Sequence, residues 1–262
     1  MSAFRLWIWA ALAVALAFLT LPVLAIFLNT SPGRLLDSLD DPAARDALLL
    51  SLETTTLALA IILAVGTPAA YLLATRRFRG RSLVLTLVEL PLVLPPAVAG
   101  IALLAAVGPL GIFGDALAEA HVELALQRAG VVVALVFVAA PFYLRQAVAA
   151  FAAVEPTLLQ ASRTLGASEA ATLARVVVPT ALPGLAAGTA LAWGRALGEF
   201  GATLMFAGSF RGITQTAPLA IYDDFTDDFS GALALSAVLV CVSAALLISV
   251  KLAGGERGLA AR

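Results

Sequence analysis

Six stretches of this chain are long and apolar enough to cross a bilayer, and that settles the class of fold before any motif is read. A membrane span needs roughly 20 apolar residues, because a helix rises about 1.5 Å per residue through a hydrocarbon core about 30 Å thick. The runs fall at about residues 6–28, 48–74, 83–107, 129–148, 182–206 and 231–252. Lipid offers no partner to a free N–H or C=O, so runs of this length are expected to be helices. The first could pass for a signal peptide with Arg5 as its charged end. Its apolar run is too long for an h-region and no small-residue cleavage site stands out, so it reads as a retained anchor. Only 13% of the 262 residues are charged and 61% are hydrophobic, whereas a soluble domain is nearer a quarter charged. The expected fold class is an all-α membrane protein with six transmembrane helices.

Basic residues orient such a chain, because short loops rich in Lys and Arg stay in the cytoplasm. With the N-terminus inside, the inner segments carry Arg5, Arg76, Arg77, Arg79, Arg81, Arg145, Arg163, Arg175, Lys251, Arg257 and Arg262. The outer loops hold Arg34, Arg45, Arg128 and Arg211 and collect acid instead, including Asp37, Asp40, Asp41 and Asp46. Arg195 is left inside a span. Both termini are therefore expected in the cytoplasm. The organisation expected is a first transmembrane helix and outer loop over residues 1–45, a five-helix core over 46–252, and a cytoplasmic tail over 253–262.

Several chemistries find no support. The lone Cys241 cannot form an intrachain disulfide and reads as a small buried hydrophobe. One histidine and no Cys/His cluster leave no transition-metal site of the usual kind. Asp115, Glu119, His121 and Glu123 read as the solvated face of a short outer helix. The acidic run Asp223-Asp224-Phe225-Thr226-Asp227-Asp228 reads as an external loop or a rim touching a partner. No nucleic-acid motif is present, and no GxxxxGK[ST] loop for binding nucleotide phosphates.

Two spans carry residues that are costly in lipid. The third holds Glu89 and then Pro91, Pro95 and Pro96. Proline frees backbone carbonyls that must be satisfied elsewhere, so this is either a broken helix lining a passage or a kink that shapes packing. The fifth holds Arg195 and Glu199, four apart and so expected on one helix face, where they can neutralise each other. Burying such an Arg alone would cost on the order of 2.5–3.5 kcal/mol, so the pair should face protein or water. Gly184 and Gly188, then Gly194 and Gly198, have the spacing that lets helices approach closely, and Gly201 adds a further position without a side chain. The pair either sits in a transport path or locks the helix to its neighbours.

Between the fourth and fifth spans lies a segment unlike the rest, residues 155–180, with charges on both sides of its middle. Pro156 suits a helix first turn, Gly166 suits a left-handed C-terminal cap, and Ser168 followed by Glu169 suits a second N-terminus. Pro179 and Pro183 are expected to break that second helix. The result is a helix–glycine–helix elbow presented to water on the cytoplasmic side. Gln160-Ala161-Ser162, Gly166, and Val178-Pro179 resemble the loop by which ABC importer permeases dock on their ATPase. The chain departs from that pattern at Gln160, where Glu is usual, at Ser162, where Ala is usual, and at Val176 and Val178, where Ile and Leu are usual.

The fifth span strengthens the likeness. Arg195-Ala196-Leu197-Gly198-Glu199-Phe200-Gly201-Ala202-Thr203 and Thr214-Gln215-Thr216-Ala217-Pro218-Leu219 are similar to oxyanion ABC importer permeases, above all those for molybdate, with tungstate and sulfate/thiosulfate permeases close by. This resemblance implies the type I ABC importer permease fold in a prokaryotic cell membrane, and a transport subunit rather than an enzyme. It implies a homodimer, two cytoplasmic ATPase subunits that use ATP-Mg, and an extracytoplasmic oxyanion-binding protein. No cofactor is expected on this chain. Gln160, Ala161, Ser162, Arg163, Thr164, Leu165, Gly166 and Pro179 would couple to the ATPase. Arg195, Gly198, Glu199, Gly201, Thr203 and Pro95 would line the pathway, with Ser209 also suited to a hydrated cavity. Two other classes make demands of the residues themselves. An ion-driven secondary transporter would favour inverted repeats and intramembrane acid pairs, and no repeat is convincing. A membrane-embedded enzyme would need a nucleophile–base or metal constellation, and none is legible.

Overall fold

The computed structural model describes residues 3–259, and every regular element among them is helical. In chain order these are α1 (Ala3–Leu28), α2 (Pro32–Asp40), α3 (Pro42–Thr75), α4 (Arg81–Val93), α5 (Pro96–Val107), α6 (Gly114–Glu119) and α7 (Arg128–Ala152). Then follow α8 (Pro156–Thr164), α9 (Glu169–Thr172), a π turn over Leu173–Val177, α10 (Val178–Leu197), α11 (Gly201–Ala207), α12 (Ala217–Asp227) and α13 (Phe229–Leu259). Helices over Ala3–Leu28, Pro42–Thr75, Arg128–Ala152, Glu169–Leu197 and Phe229–Val250 are each long and apolar enough to cross a membrane. The pair α4–α5 is apolar enough to cross when taken together but is bent by 119° at its break, the geometry of a broken span or a re-entrant loop. Helix α13 continues through the expected tail as far as Leu259, and the rest of that tail, residues 260–262, lies outside the described residues.

The packing centre is α7, against which α3 and α10 lie. On the α3 side, Thr67 Oγ1 and the Tyr143 hydroxyl are 2.6 Å apart, Gly66 lies against the Tyr143 ring, and Tyr71 meets Phe151 edge-on. On the α10 side, a Cβ at Gly184 would come within 2.5 Å of the Ala150 Cβ, and one at Gly188 within 3.0 Å of Gln146. The first pair of small residues thus does what its spacing predicts. By contrast no residue of α1 is buried, and this helix leans on α13.

Two minor expectations are corrected. Cys241 is exposed on α13 rather than buried, because that helix turns a broad apolar face outward, where lipid makes burial within the protein unnecessary. Helix α6 ends at Glu119, so Asp115 and Glu119 lie on it while His121 (φ 57°) sits in the turn that follows and Glu123 in the irregular segment after it.

The glycine contacts generate a paired test. Gly184→Ala should destabilise the solubilised chain by about 1–3 kcal/mol, the usual cost of overpacking, since the Ala150 methyl cannot swing away. Gly194→Ala meets nothing within 4 Å and should be neutral or stabilising by up to about 1 kcal/mol, the helix-propensity gain. Thermal unfolding in detergent separates the two.

Candidate functional site

The elbow forms as its residue types require. Gly166 takes φ 78°, a conformation open to glycine. Its N–H donates to the Arg163 carbonyl at 2.9 Å, and that of Ala167 donates to the Ser162 carbonyl at 3.1 Å. These are the two bonds of a Schellman motif, which satisfy carbonyls that a helix end leaves free. Ser168 then caps the next helix, its Oγ accepting from the Ala171 N–H at 3.2 Å. Gln160, Ala161, Arg163, Thr164, Leu165 and Gly166 are all exposed, and Leu165 is 87% exposed, an apolar side chain set in water at the tip of the bend.

Ser162 is the exception. It is buried, with its Oγ 2.9 Å from Thr172 Oγ1. The hydroxyl therefore ties α8 to α9 from within, which gives a structural reason for Ser where the pattern has Ala. Arg76 at the end of α3 reaches Glu169 at 2.5 Å and tethers the elbow from the other side.

Pro179 and Pro183 do not end the second helix, against expectation. Helix α9 passes through the π turn into α10, with the Val178 N–H donating to the Leu173 carbonyl five residues back. The wider turn shifts the register just before Pro179, where an N–H is missing in any case. Glu169–Leu197 is consequently one 29-residue helical path from the elbow into the membrane.

That path stops where an unbroken span was expected. Helix α10 ends at Leu197, the chain turns through Gly198, Glu199 and Phe200, and α11 restarts at Gly201. Arg195 and Glu199 do pair, at 2.5 Å, but across the end of α10 rather than along one helix face. Glu199 is only 1% exposed, while the Arg195 side chain keeps 27%. The other carboxylate oxygen accepts the Ala202 N–H at 2.6 Å. One buried acid thus neutralises a cation and satisfies a donor that the new helix start leaves unpaired.

The third span is broken as well, and the two breaks meet. Leu94 (φ −72°, ψ 132°) and Pro95 (φ −55°, ψ 138°) leave the helical region, as is favoured before proline, and Pro96 opens α5. A Cβ at Gly201 would lie 2.7 Å from that of Pro96, and one at Gly100 would lie 2.7 Å from the Ala202 carbonyl and 2.5 Å from the Met205 Cβ. Thr203 is fully buried beside this contact, its hydroxyl without a hydrogen-bond partner. Gly194 and Gly198 do not mediate a close approach within the chain: the first has no neighbour and the second only the Gly194 carbonyl at 3.7 Å. Gly194 instead lines an apolar groove of about 410 Å³ between α10 and α13. Glu89 is half-exposed and lies 3.8 Å from Arg145.

Further contacts that hold this region are not legible from the sequence. Ser51 Oγ accepts the Ala217 N–H at 2.7 Å, and Trp193 Nε1 donates to Thr55 Oγ1 at 3.3 Å. Asp223 gathers the loop after α11, accepting from Gln215 at 2.6 Å and from Ser209 at 3.2 Å. Ser209 therefore serves the loop rather than a cavity wall. The hydroxyl-rich Ser51-Leu52-Glu53-Thr54-Thr55-Thr56 inside an apolar run was the available signal.

Comparison with known proteins gives concordant results. A family model described as the binding-protein-dependent transport system inner membrane component matches residues 63–254. The chain is 38% identical over 244 residues to the molybdenum transport system permease protein ModB of Mycobacterium bovis, covering 93% of this chain and 92% of that one. It is 35% identical over 207 residues to the molybdate/tungstate transport system permease protein WtpB of Pyrococcus abyssi, covering 78% of each. Its fold matches a bacterial ABC transporter involved in the import of the polysaccharide alginate, with a TM-score of 0.72 at 17% identity over 95% of this chain and 96% of that one.

Two pairs of variants test the geometry. Glu199→Ala should destabilise toward the low end of the roughly 3–5 kcal/mol seen for breaking a buried pair, since Arg195 retains partial exposure. Glu199→Gln, which keeps an acceptor for Ala202, should cost less. At the elbow, Ser162→Ala strands the Thr172 hydroxyl and should cost about 1–3 kcal/mol, whereas Ser162→Ala/Thr172→Val together should recover most of it. Denaturation midpoints of the four variants decide both points.

Proposed function

From the premise that this chain belongs to the family of inner membrane components of binding-protein-dependent transport systems, we propose that it carries molybdate, or a similar tetrahedral oxyanion, into the cytoplasm by alternating access. It is a multi-pass ABC-transporter permease of the plasma membrane, and that membership sets aside the ion-gradient reading. The observation that carries the proposal is the unbroken path from elbow to junction. A 29-residue helical path, Glu169–Leu197, links the exposed bend to the break at Gly198–Phe200, roughly 43 Å of helix at 1.5 Å per residue. A push on Leu165 and Gly166 is delivered along it to the point where two interrupted spans touch.

On this reading the cytoplasmic side holds the elbow. Gln160, Ala161, Arg163, Thr164, Leu165 and Gly166 meet a separate ATPase that binds ATP-Mg, with two ATPase copies serving a homodimer of this chain. Ser162 and Pro179 act from within, keeping the bend and its entry into α10 in register. Closure of the ATPases draws the elbows together and rocks the spans, and an extracytoplasmic binding protein releases the anion at the opened outer face. Arg195, Gly198, Glu199, Gly201, Thr203 and Pro95 stand on or beside the passage.

The chemistry suits an anion that must pass without being trapped. A doubly charged oxyanion carries a prohibitive Born cost in hydrocarbon, so it moves through a hydrated cavity. Glu199 offsets most of the attraction of Arg195, leaving no fixed positive ring to hold the cargo. The substrate assignment draws support from the molybdenum and molybdate/tungstate transport names of the relatives. Tungstate is the nearest alternative, and sulfate or thiosulfate the next.

Two measurements test this. In proteoliposomes with the ATPase and the binding protein, labelled molybdate uptake should be competed strongly by tungstate and weakly by sulfate; sulfate competing best would reassign the cargo. Gly166→Ile forces a β-branched residue to φ 78° and should leave ATP hydrolysis without uptake, lowering transport per ATP by about tenfold or more, equivalent to at least ~1.4 kcal/mol of lost coupling. Wild-type uptake and ATPase binding in that variant would remove the coupling role.

A further inference from the structure

Only five residues, Arg76 to Gly80, join α3 to α4, and three of them are arginine, with Arg81 opening the next helix. The apolar runs end at Ala74 and resume at Leu83, so so short a connection cannot leave the headgroup layer. Two of the four guanidiniums are already engaged. Arg76 pairs with Glu169, and Arg81 Nε donates to the Leu73 carbonyl at 2.7 Å. The Arg81 N–H donates to the Phe78 carbonyl at 3.3 Å, and Gly80 at φ 87° closes the turn.

Arg77 and Arg79 are different. Both are exposed, and neither forms an ion pair among the described residues. Phe78 between them is exposed, and the flanking helices expose Leu72, Leu83 and Leu87. Two uncompensated guanidiniums on a pinned loop, alternating with an exposed ring and bordered by exposed apolar side chains, suit a phosphate layer better than bulk water. Arginine binds phosphate through paired N–H donors, and its aliphatic stem and the Phe78 ring can rest at the acyl boundary.

We propose that Arg77 and Arg79 form a binding site for the phosphodiester headgroup of an anionic phospholipid. The ion pair from Arg76 to Glu169 sets that headgroup beside the elbow, so membrane composition acts on the segment next to the bend. A juxtamembrane Arg contributes about 1 kcal/mol toward an anionic surface, which corresponds to roughly fivefold in affinity for each of the two.

The test uses the purified full-length chain in detergent and fluorescent phosphatidylglycerol or phosphatidylcholine as the probe. The wild-type chain should prefer phosphatidylglycerol, and the preference should fall as salt rises. Arg77→Gln/Arg79→Gln should reduce it by roughly 25-fold, on the additive estimate for two such arginines. Equal binding of the two lipids by the wild type, or an unchanged preference in the double variant, overturns the proposal. So does displacement by inorganic phosphate as effective as by unlabelled phosphatidylglycerol, which would make the site one for free phosphate. Loss of ATPase co-purification in the double variant with lipid preference intact would assign the two arginines to that partner instead. The readout is lipid binding, so its failure is distinct from any failure in transport.

Discussion

The structure depends on how a broken backbone is kept satisfied where water is scarce. A helix that stops inside a membrane exposes donors at its new start and carbonyls at its old end, and each unpaired group costs several kcal/mol in hydrocarbon. Two spans stop here, at Leu94–Pro95 and at Gly198–Phe200. Glu199 answers much of the demand at the second, taking the Ala202 N–H with one oxygen and the Arg195 cation with the other. Proline answers it at the first by having no N–H to satisfy. The glycines then let the two repaired breaks lie against each other, because the backbone of α11 and the Pro96 ring occupy the space where side chains at Gly100 and Gly201 would stand.

From this follows a division between what is held and what is left loose. Helix α7 grips α3 and α10 through Tyr143, Ala150 and Gln146, with hydroxyl contacts and glycine approaches that leave no slack. On its other side α10 faces α13 across an apolar groove at Gly194, and α1 buries no residue at all. The elbow belongs to the gripped part. Ser162 and Thr172 join its two helices from within, and Arg76 fastens it to α3. These ties join the elbow to α3 and, through the helical path Glu169–Leu197, to α10, which is the connection the proposed coupling requires.

Much of this was legible in the residues, and the parts that were not share a cause. The six apolar runs, the bend at Gly166 and the cap at Ser168 each rest on a local rule, and local rules survive packing. The break in the third span was one of two readings of its prolines. The break in the fifth was hidden because Arg195 and Glu199 sit four apart, a spacing that reads as a helix face whether or not the helix continues. Gly198 and Gly201 on either side of Glu199 were a signal of interruption, but small-residue spacing in a membrane helix more commonly signals close packing. Pro179 misled in the opposite direction, since a π turn leaves no trace in the sequence and lets a helix run through a proline. Ser51 and Asp223 act through partners 166 and 8 or 14 residues away, which periodicity cannot bring together.

The placement of charge around the junction has a consequence for any anion that crosses. An arginine alone at this depth would bind a divalent oxyanion tightly and hold it, since Coulomb attraction grows as the dielectric falls. A glutamate alone would repel it. With Glu199 buried and Arg195 partly exposed, the acid is withdrawn from the solvent-facing side while its charge still counts against the cation. The surface then offers a guanidinium edge of reduced attraction, beside a glycine-rich wall that adds no charge of its own. On the proposed pathway such a surface would lower the cost of passage without creating a well, and would do so with the carboxylate that also holds the broken helix together. Glu199 holds the break together through its two contacts, and on the proposed pathway the same carboxylate would also temper the pull of Arg195 on the anion.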